Sequence, residues 1–283
     1  MKNLKLKRAK TLHLKNDNLK IASILLFYIG GLLLIIISHV YDYLGIILLH
    51  GYETYLNCVH IALLSVPLIT PNKMLLTKAE KKAIVIPSKL QNILVGLILG
   101  DLSCVKNRAN ARFRFKQSTI HEDYLRLLYS IFYLFCGSGP KINHAKPHPK
   151  TGKVYSSIEF TTYRLPCLTE LYNLFYINNV KVIPRNIADL LTPIGLAYWI
   201  ADDGSWNAPG RYVVLCTDSF TLGEVELLIT ALNTKFLFNC YKVKNGNKKG
   251  TQYRIVIPAV SVPRLRELIA DDMPCMMKYK LGQ

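Results

Sequence analysis

The chain has 283 residues, of which 36 are Lys or Arg and 18 are Asp or Glu, giving a formal net charge of +18. A chain of this length can bury a hydrophobic core. The positive charge favours a polyanion as the partner, with nucleic acid as the leading candidate, over a basic surface that serves only solubility. Its seven cysteines include no C-x-x-C pair, which argues against a zinc ribbon and a secreted disulfide framework.

The N-terminal region differs in composition from the rest. Residues 1–20 carry seven basic side chains and one acid, and Ile21 to Tyr41 has no charged residue over a length that can cross a bilayer. We interpret this region as a signal anchor or organelle-targeting leader, with an upstream extension that has no role in the activity as the alternative. Residues 1–86 are therefore predicted to be a hydrophobic extension and linker.

From Pro87 onward the sequence indicates a duplication. Two apolar helical segments, "PSKLQNILVGLILGD" and "LTPIGLAYWIADDG", each end at an acid. Each is followed by a predicted strand ("ARFRFKQ", "RYVVLCT"), by a helix with a predicted capping box (Thr119 with Glu122, Thr221 with Glu224) and by a basic hairpin ("KPHPKTGKVYSSIEFTTY", "YKVKNGNKKGTQYRIVI"). We predict a first half over residues 87–190 and a second half over 191–283.

The register of the duplication selects two of the acids. Thr119 and Thr221 are 102 residues apart, and the same shift relates Asp101 to Asp203 rather than to Asp202. The small residues Gly96 and Gly100, and Ala197 and Ala201, would let the two apolar helices pack closely. Two carboxylates brought together in this way repel each other unless cations neutralise them, so a divalent metal site is expected.

The two helices resemble the paired motifs of the LAGLIDADG homing endonucleases. The similarity lies in "LVGLILGDL" and "LAYWIADDG", extends through "NNVKVIP" and "MMKYKL", and is greatest to the omega-type enzymes of mitochondrial large-ribosomal-RNA introns. The resemblance implies an α+β, pseudo-twofold duplicated fold in which two antiparallel sheets form a saddle around a central two-helix interface. It also implies a monomer with internal pseudo-symmetry.

The resemblance further implies a site-specific endonuclease that cuts double-stranded DNA with Mg²⁺. Asp101 and Asp203 match the metal-binding acids of the family, and Lys181 and Lys280 match lysines that organise water and offset phosphate charge. Lys141 matches less closely, and Arg114 stands where some relatives carry an acid or a polar side chain near the metal.

Basic strand segments indicate DNA contact independently of the family. In "ARFRFK" the basic residues alternate with Phe113 and Phe115, so a strand would present one basic face and one aromatic face. We expect the second hairpin to repeat this arrangement. The predicted DNA-binding residues are Arg112, Arg114, Lys116, Lys141, Lys153, Lys242, Lys244, Lys248 and Lys249.

Two other functions stay open at this point. One is an RNA maturase that assists group I intron splicing, with intron RNA as partner. The other is a membrane-anchored, non-catalytic DNA-binding protein that contacts the membrane through residues 21–41. The resemblance and the Asn, Lys, Ile and Tyr content favour a mitochondrial location, with the chloroplast as second choice.

Overall fold

A computed structural model describes residues 76–246 and 252–283 as an α+β protein. The predictions for the extension up to residue 75, for Lys248 and for Lys249 lie outside these residues. Within the described ranges, none of the helices combines the length and the apolar character needed to cross a bilayer.

Eight α-helices are present in the described ranges. They are α1 (Lys78–Ala83), α2 (Ser88–Leu99), α3 (Glu122–Phe132), α4 (Pro166–Phe175), α5 (Ile187–Leu190), α6 (Pro193–Asp203), α7 (Leu222–Phe236) and α8 (Val262–Ile269). Short 3₁₀ turns precede α3 and α8, and another forms the C-terminal segment Cys275–Leu281.

The same ranges contain ten strands. They are β1 (Ser103–Asn107), β2 (Asn110–Ser118), β3 (Lys141–His144), β4 (Ser156–Thr161), β5 (Tyr176–Ile177), β6 (Val180–Lys181), β7 (Gly204–Asn207), β8 (Tyr212–Leu215), β9 (Tyr241–Lys244) and β10 (Tyr253–Ile257).

The two larger sheets share one topology. Their strand orders are β1-β2-β4-β3 and β7-β8-β10-β9, with every neighbouring pair antiparallel. Helices α3 and α4 cover one face of the first sheet, and α7 covers one face of the second. The predicted α+β fold with antiparallel sheets is confirmed.

The alternation in "ARFRFK" forms β2 as predicted. Phe113 and Phe115 are buried, and Arg114 and Lys116 between and beyond them are exposed. The ring of Phe115 stacks on Phe160 of β4, with ring centroids 4.4 Å apart. The aromatic face of the strand thus anchors the sheet to the core and leaves the basic face outward.

The two apolar helices α2 and α6 pack directly against each other. A Cβ atom on Gly96 would lie 1.9 Å from the carbonyl oxygen of Gly195, and one on Gly100 would lie 2.6 Å from Cβ of Asp202. The expected contact through Gly96 and Gly100 is present, but their partners are Gly195 and Asp202 rather than the two alanines. Backbone-to-backbone packing of this kind is possible only without side chains.

One predicted capping box is confirmed and the other is wrong. Thr221 and Glu224 form both reciprocal hydrogen bonds at the start of α7. In the first half a 3₁₀ turn capped by Ser118 precedes α3, and the hydroxyl of Thr119 donates instead to the carbonyl of Ser156. Glu122 pairs with Arg126 one turn later. The hydroxyl that was predicted to cap α3 is therefore bonded to the first residue of β4.

The predicted linker contains regular structure near its end. Helix α1 begins with a capping box between Thr77 and Glu80, and Ile84 and Ile86 pack against the core. The first hairpin also begins earlier than the sequence indicated, since β3 starts at Lys141 and pairs antiparallel with β4.

Candidate active site

The C-terminal ends of α2 and α6 meet at three acids. Asp101 follows the C-cap Gly100, and Asp202 and Asp203 form the last residues of α6. The backbone N–H of Asp101 donates a hydrogen bond to Oδ2 of Asp202 over 3.1 Å. The helix pair therefore brings together the acids that lie about a hundred residues apart in the chain.

Asp202 is wedged between the two helices. Its Oδ1 accepts a hydrogen bond from the hydroxyl of the buried Tyr124 at 2.9 Å, and its side chain occupies the space that Gly100 leaves free. Burial, together with the nearby charge of Asp101, raises the pKa of Asp202 to about 8. Both oxygens of Asp202 thus accept a hydrogen bond, one from the end of α2 and one from α3.

Asp203 has a different environment. It is partly buried, and burial, followed by the charge of Asp101, raises its pKa to about 7, while Lys181 and Lys280 act in the opposite direction. No group within the described ranges donates a hydrogen bond to its carboxylate. A partly buried carboxylate without a donor, beside a second carboxylate, favours a bound cation.

Two lysines bind the helix ends in matching positions. Lys181 Nζ donates to the carbonyl of Gly100 at 2.8 Å, and Lys280 Nζ donates to the carbonyls of Ala201 and Asp202 at 2.6 and 2.7 Å. The two lysines thus bind Gly100 and Asp202 as equivalent residues of the two halves. Asp101 and Asp203, one residue later, are then also equivalent, which agrees with the register of the sequence. Burial lowers the pKa of both amines, and the three acids oppose that shift.

Gln117 is a residue of this site that the sequence did not reveal. Its Nε2 donates to Oδ2 of Asp101 at 3.0 Å. The alternation of β2 assigns Gln117 to the core face, because it lies opposite the buried Ile158. Only its place near the end of the strand lets the long amide side chain reach the acid.

Arg114 does not bind the acids. Its guanidinium pairs with Glu159 on the neighbouring strand β4. It nevertheless shares a groove of about 490 Å³ with the acid Asp101, lined also by Lys116 and Gln117.

The sequence model of the LAGLIDADG DNA endonuclease family matches residues 91–265, which include most of α2, all of α6 and both four-stranded sheets. The chain belongs to this family. The cytochrome b mRNA maturase bI2 of Debaryomyces hansenii is 32% identical over 199 residues, covering 69% of this chain and 74% of that protein. The probable intron-encoded endonuclease 1 of Wickerhamomyces canadensis is 29% identical over 217 residues, covering 75% and 91% respectively.

A solved structure of the same family has a similar fold. The homing endonuclease I-WcaI bound to its DNA recognition sequence matches with a TM-score of 0.66 and 27% identity, covering 75% of this chain and 94% of that one. The sheets and the central helix pair described above are therefore those of a LAGLIDADG protein.

In this LAGLIDADG chain the predicted basic residues of the first sheet lie on one face. The outward face of β2 carries Arg112, Arg114 and Lys116. Lys116 and Lys141 of β3 lie on either side of Glu159 of β4, so Lys141 is on the same face. Lys153 lies in the exposed loop between β3 and β4, with its amine 5.3 Å from the ring centroid of Tyr155.

The second sheet differs from the expectation. Lys242 and Lys244 lie opposite Ile255 and Tyr253, and directly opposed residues share a face. Because Ile255 is buried in the core, both lysines are on the helix-covered side of β9, where Lys242 pairs with Glu226 of α7. The sequence showed their alternation but not which of the two faces was covered.

Proposed function

We propose that this protein is an intron-encoded homing endonuclease that hydrolyses both strands of double-stranded DNA at a specific site with a divalent cation, Mg²⁺. The observation that carries the proposal is that the helix ends carrying Asp101 and Asp203 adjoin, so that the charge of Asp101 acts on Asp203, with Lys181 and Lys280 bound to the same helix ends. The two acids come from equivalent positions in the two halves, so each acid can serve the cleavage of one DNA strand.

The acids suit a hard cation. Mg²⁺ in nucleic-acid enzymes is held by one or two carboxylates together with phosphate oxygens and water. The raised pKa of Asp203 and the lack of a hydrogen-bond donor to its carboxylate among the described residues support a bound cation at this acid. Asp101 and Asp203 would hold the ion, which supplies an activated water and stabilises the leaving oxygen.

The remaining side chains have supporting roles in this proposal. Gln117 orients the carboxylate of Asp101 through its 3.0 Å hydrogen bond. Lys181 and Lys280, fixed by backbone carbonyls beside the acids, offset phosphate charge and order water without needing to bind the ion. The basic outward face of β2 binds the DNA backbone and bases.

Partner and location follow from the relatives. A family member with the same fold is bound to a DNA recognition sequence, which supports duplex DNA as the partner. Relatives from yeasts carry the names of intron-encoded endonucleases and cytochrome b mRNA maturases, which supports a mitochondrial location. The narrower similarity to omega-type enzymes rests on several stretches, "LTPIGLAYWIADDG", "NNVKVIP" and "MMKYKL" among them, and stays a prediction.

Replacement of the acids tests the proposal. Asp101→Asn and Asp203→Asn each remove one charged ligand at constant size, so plasmid cleavage in Mg²⁺ should fall by about a hundredfold or more. DNA affinity measured by gel shift in Ca²⁺ should change little, because the basic faces supply most of it. Normal cleavage by both variants would refute Asp101 and Asp203 as the catalytic acids. A wild-type protein that binds duplex DNA without cutting it would favour a non-catalytic DNA-binding protein.

The maturase function is supported by the name of the Debaryomyces hansenii relative. It predicts that the protein accelerates splicing of its own group I intron RNA in vitro. If Asp101→Asn and Asp203→Asn abolish DNA cleavage and leave splicing unchanged, the protein has both activities on separate surfaces. If the wild-type protein splices RNA but does not cut DNA, the maturase alone is correct.

A further inference from the structure

The two sheets present outward faces of different chemistry. The strands can be matched through the acids: Ser103 and Ser205 each lie two residues after an acid, and they face Arg114 and Val214 respectively. By the same pairing, Arg112 corresponds to Tyr212. Equivalent positions on the faces not covered by helices therefore carry arginine in the first half, and valine or tyrosine in the second.

The first sheet is cationic on this face. Its strands contribute Arg112, Arg114, Lys116 and Lys141, against the single carboxylate of Glu159, which pairs with Arg114. The other three cations form no ion pair with a carboxylate of the described residues. The groove of about 490 Å³ runs from Asp101 onto this cationic surface.

The second sheet is mainly apolar and aromatic on the corresponding face. Val214 lies opposite Val256, which lies opposite Tyr241, and Val243 lies opposite Arg254. Tyr241 is 47% exposed. Val256, which lies between Val214 and Tyr241, is only 2% exposed, although it does not belong to the main core cluster. Arg254 is the one cation that these strands place on the face, and Asp218 binds its guanidinium through two hydrogen bonds of 3.1 and 3.0 Å.

We infer that the two sheets read DNA half-sites of different chemistry, an inference that rests on the proposed function. Arginine and lysine donate to the N7 and O6 acceptors of guanine, while apolar side chains contact the C5 methyl group of thymine. The first sheet therefore reads guanine edges, and the second reads thymine methyl groups. The two half-sites consequently differ in the bases they prefer, despite the internal symmetry of the fold.

Base analogues test this at the level of single atoms and require no change in the protein. A target is first selected from a randomised duplex library by binding in Ca²⁺. Each half-site is then remade with uracil for thymine, which removes only the methyl group, or with 7-deazaguanine for guanine, which removes only the N7 acceptor. Affinities are measured by gel shift.

The expected pattern is opposite in the two half-sites. Uracil should weaken binding only in the half-site of the second sheet, by about fourfold for each contacted methyl, given about 0.8 kcal/mol per buried carbon. 7-deazaguanine should weaken binding only in the half-site of the first sheet, by about fivefold or more for each lost guanine contact.

Two variants assign the half-sites to the sheets. Val214→Asn should lower the sensitivity to uracil in one half-site only, and Arg112→Met should lower the sensitivity to 7-deazaguanine in the other half-site only. Equal sensitivity of both half-sites to both analogues, or selection of a palindrome, would overturn the inference while leaving the nuclease proposal intact. Failure of the wild-type protein to bind any duplex would instead overturn the proposed function, and this inference with it.

Discussion

At the scale of single residues, three aspartates within one contact network have three different surroundings. Asp101 is exposed and accepts a hydrogen bond from Gln117, Asp202 is held by Tyr124 and by the backbone of Asp101, and Asp203 has no hydrogen-bond donor among the described residues. Environment rather than residue type separates their roles. Asp202 therefore positions the helix ends, whereas the other two acids are the metal ligands of the proposal.

Asp202→Asn should be milder than Asp203→Asn in cleavage. Asparagine keeps the size of the side chain and retains an acceptor for the N–H of Asp101, so we expect plasmid cleavage within about tenfold of wild type. Asp203→Asn should lose about a hundredfold or more, the scale on which single charge-stabilising groups act. Thermal unfolding serves as the folding control, and an inactive but folded Asp202→Asn variant would show that the register is wrong by one residue.

The raised pKa values predict how stability depends on pH without divalent cations. The pKa of Asp202 rises from 3.8 to about 8 in the folded protein, and that of Asp203 from 3.8 to about 7. The folded state thus keeps protons that the unfolded state releases. Their contribution to stability is fully present below about pH 4 and is lost as pH rises through 7 and 8.

The free energy of unfolding in urea should therefore fall between pH 5 and pH 8, by about 1 kcal/mol or more. Asp202→Asn cannot ionise and should flatten this decline, and added Mg²⁺ should oppose it by favouring the ionised acids. Parallel pH profiles for wild type and Asp202→Asn would contradict the assigned environment of Asp202.

At the scale of elements, the helix pair α2 and α6 depends on the absence of side chains at its contact. The backbone oxygen of Gly195 occupies the place where a Cβ on Gly96 would be, and a backbone atom cannot move aside as a side chain can. The close approach of α2 and α6 is what brings Asp101 and Asp203 to one site.

Gly96→Ala should destabilise the protein by about 3 kcal/mol or more, because the helices must separate to admit one methyl group. Gly223→Ala is a matched control, since Gly223 lies in helix α7 with no atom within 4 Å of its added Cβ. This control should be neutral or stabilising by up to about 1 kcal/mol. Equal unfolding midpoints in urea for the two variants would contradict the close packing.

At the scale of the whole molecule, the family match begins at residue 91 and the described structure at residue 76. The capping box between Thr77 and Glu80 begins helix α1, so a chain that starts at residue 76 keeps this helix intact. The role of the apolar segment Ile21 to Tyr41 stays a prediction.

A truncated chain of residues 76–283 should cut plasmid DNA as well as the full chain, because both acids, both lysines and both sheets lie within it. Cleavage rates in Mg²⁺ and the thermal midpoint should match those of the full chain. A variant with Ile84 and Ile86 also removed is the comparison, since it loses apolar contacts with the core and should be less stable. Loss of folding in the first truncation would show that the N-terminal region belongs to the catalytic body.

Most helices and strands around the site, and the acids at the helix ends, could be predicted from the sequence alone. Apolar runs that stop at Gly100 and Gly204, a proline after the cap Thr192, and the alternation around Phe113 are all patterns within one segment of chain. Such patterns specify helices and strands because each depends on the spacing of near neighbours.

The surfaces that those elements present, and the contacts of their side chains, depend on tertiary packing and could not be predicted. The sequence did not show that Lys242 faces α7, that Gln117 reaches Asp101, that Thr119 bonds β4 instead of capping α3, or that Asp202 fills the space beside Gly100. Each of these depends on the register between strands or on the closeness of two helices that are distant in sequence. Near-neighbour spacing carries no information on such contacts, because alternation specifies two faces without specifying which one another element will cover.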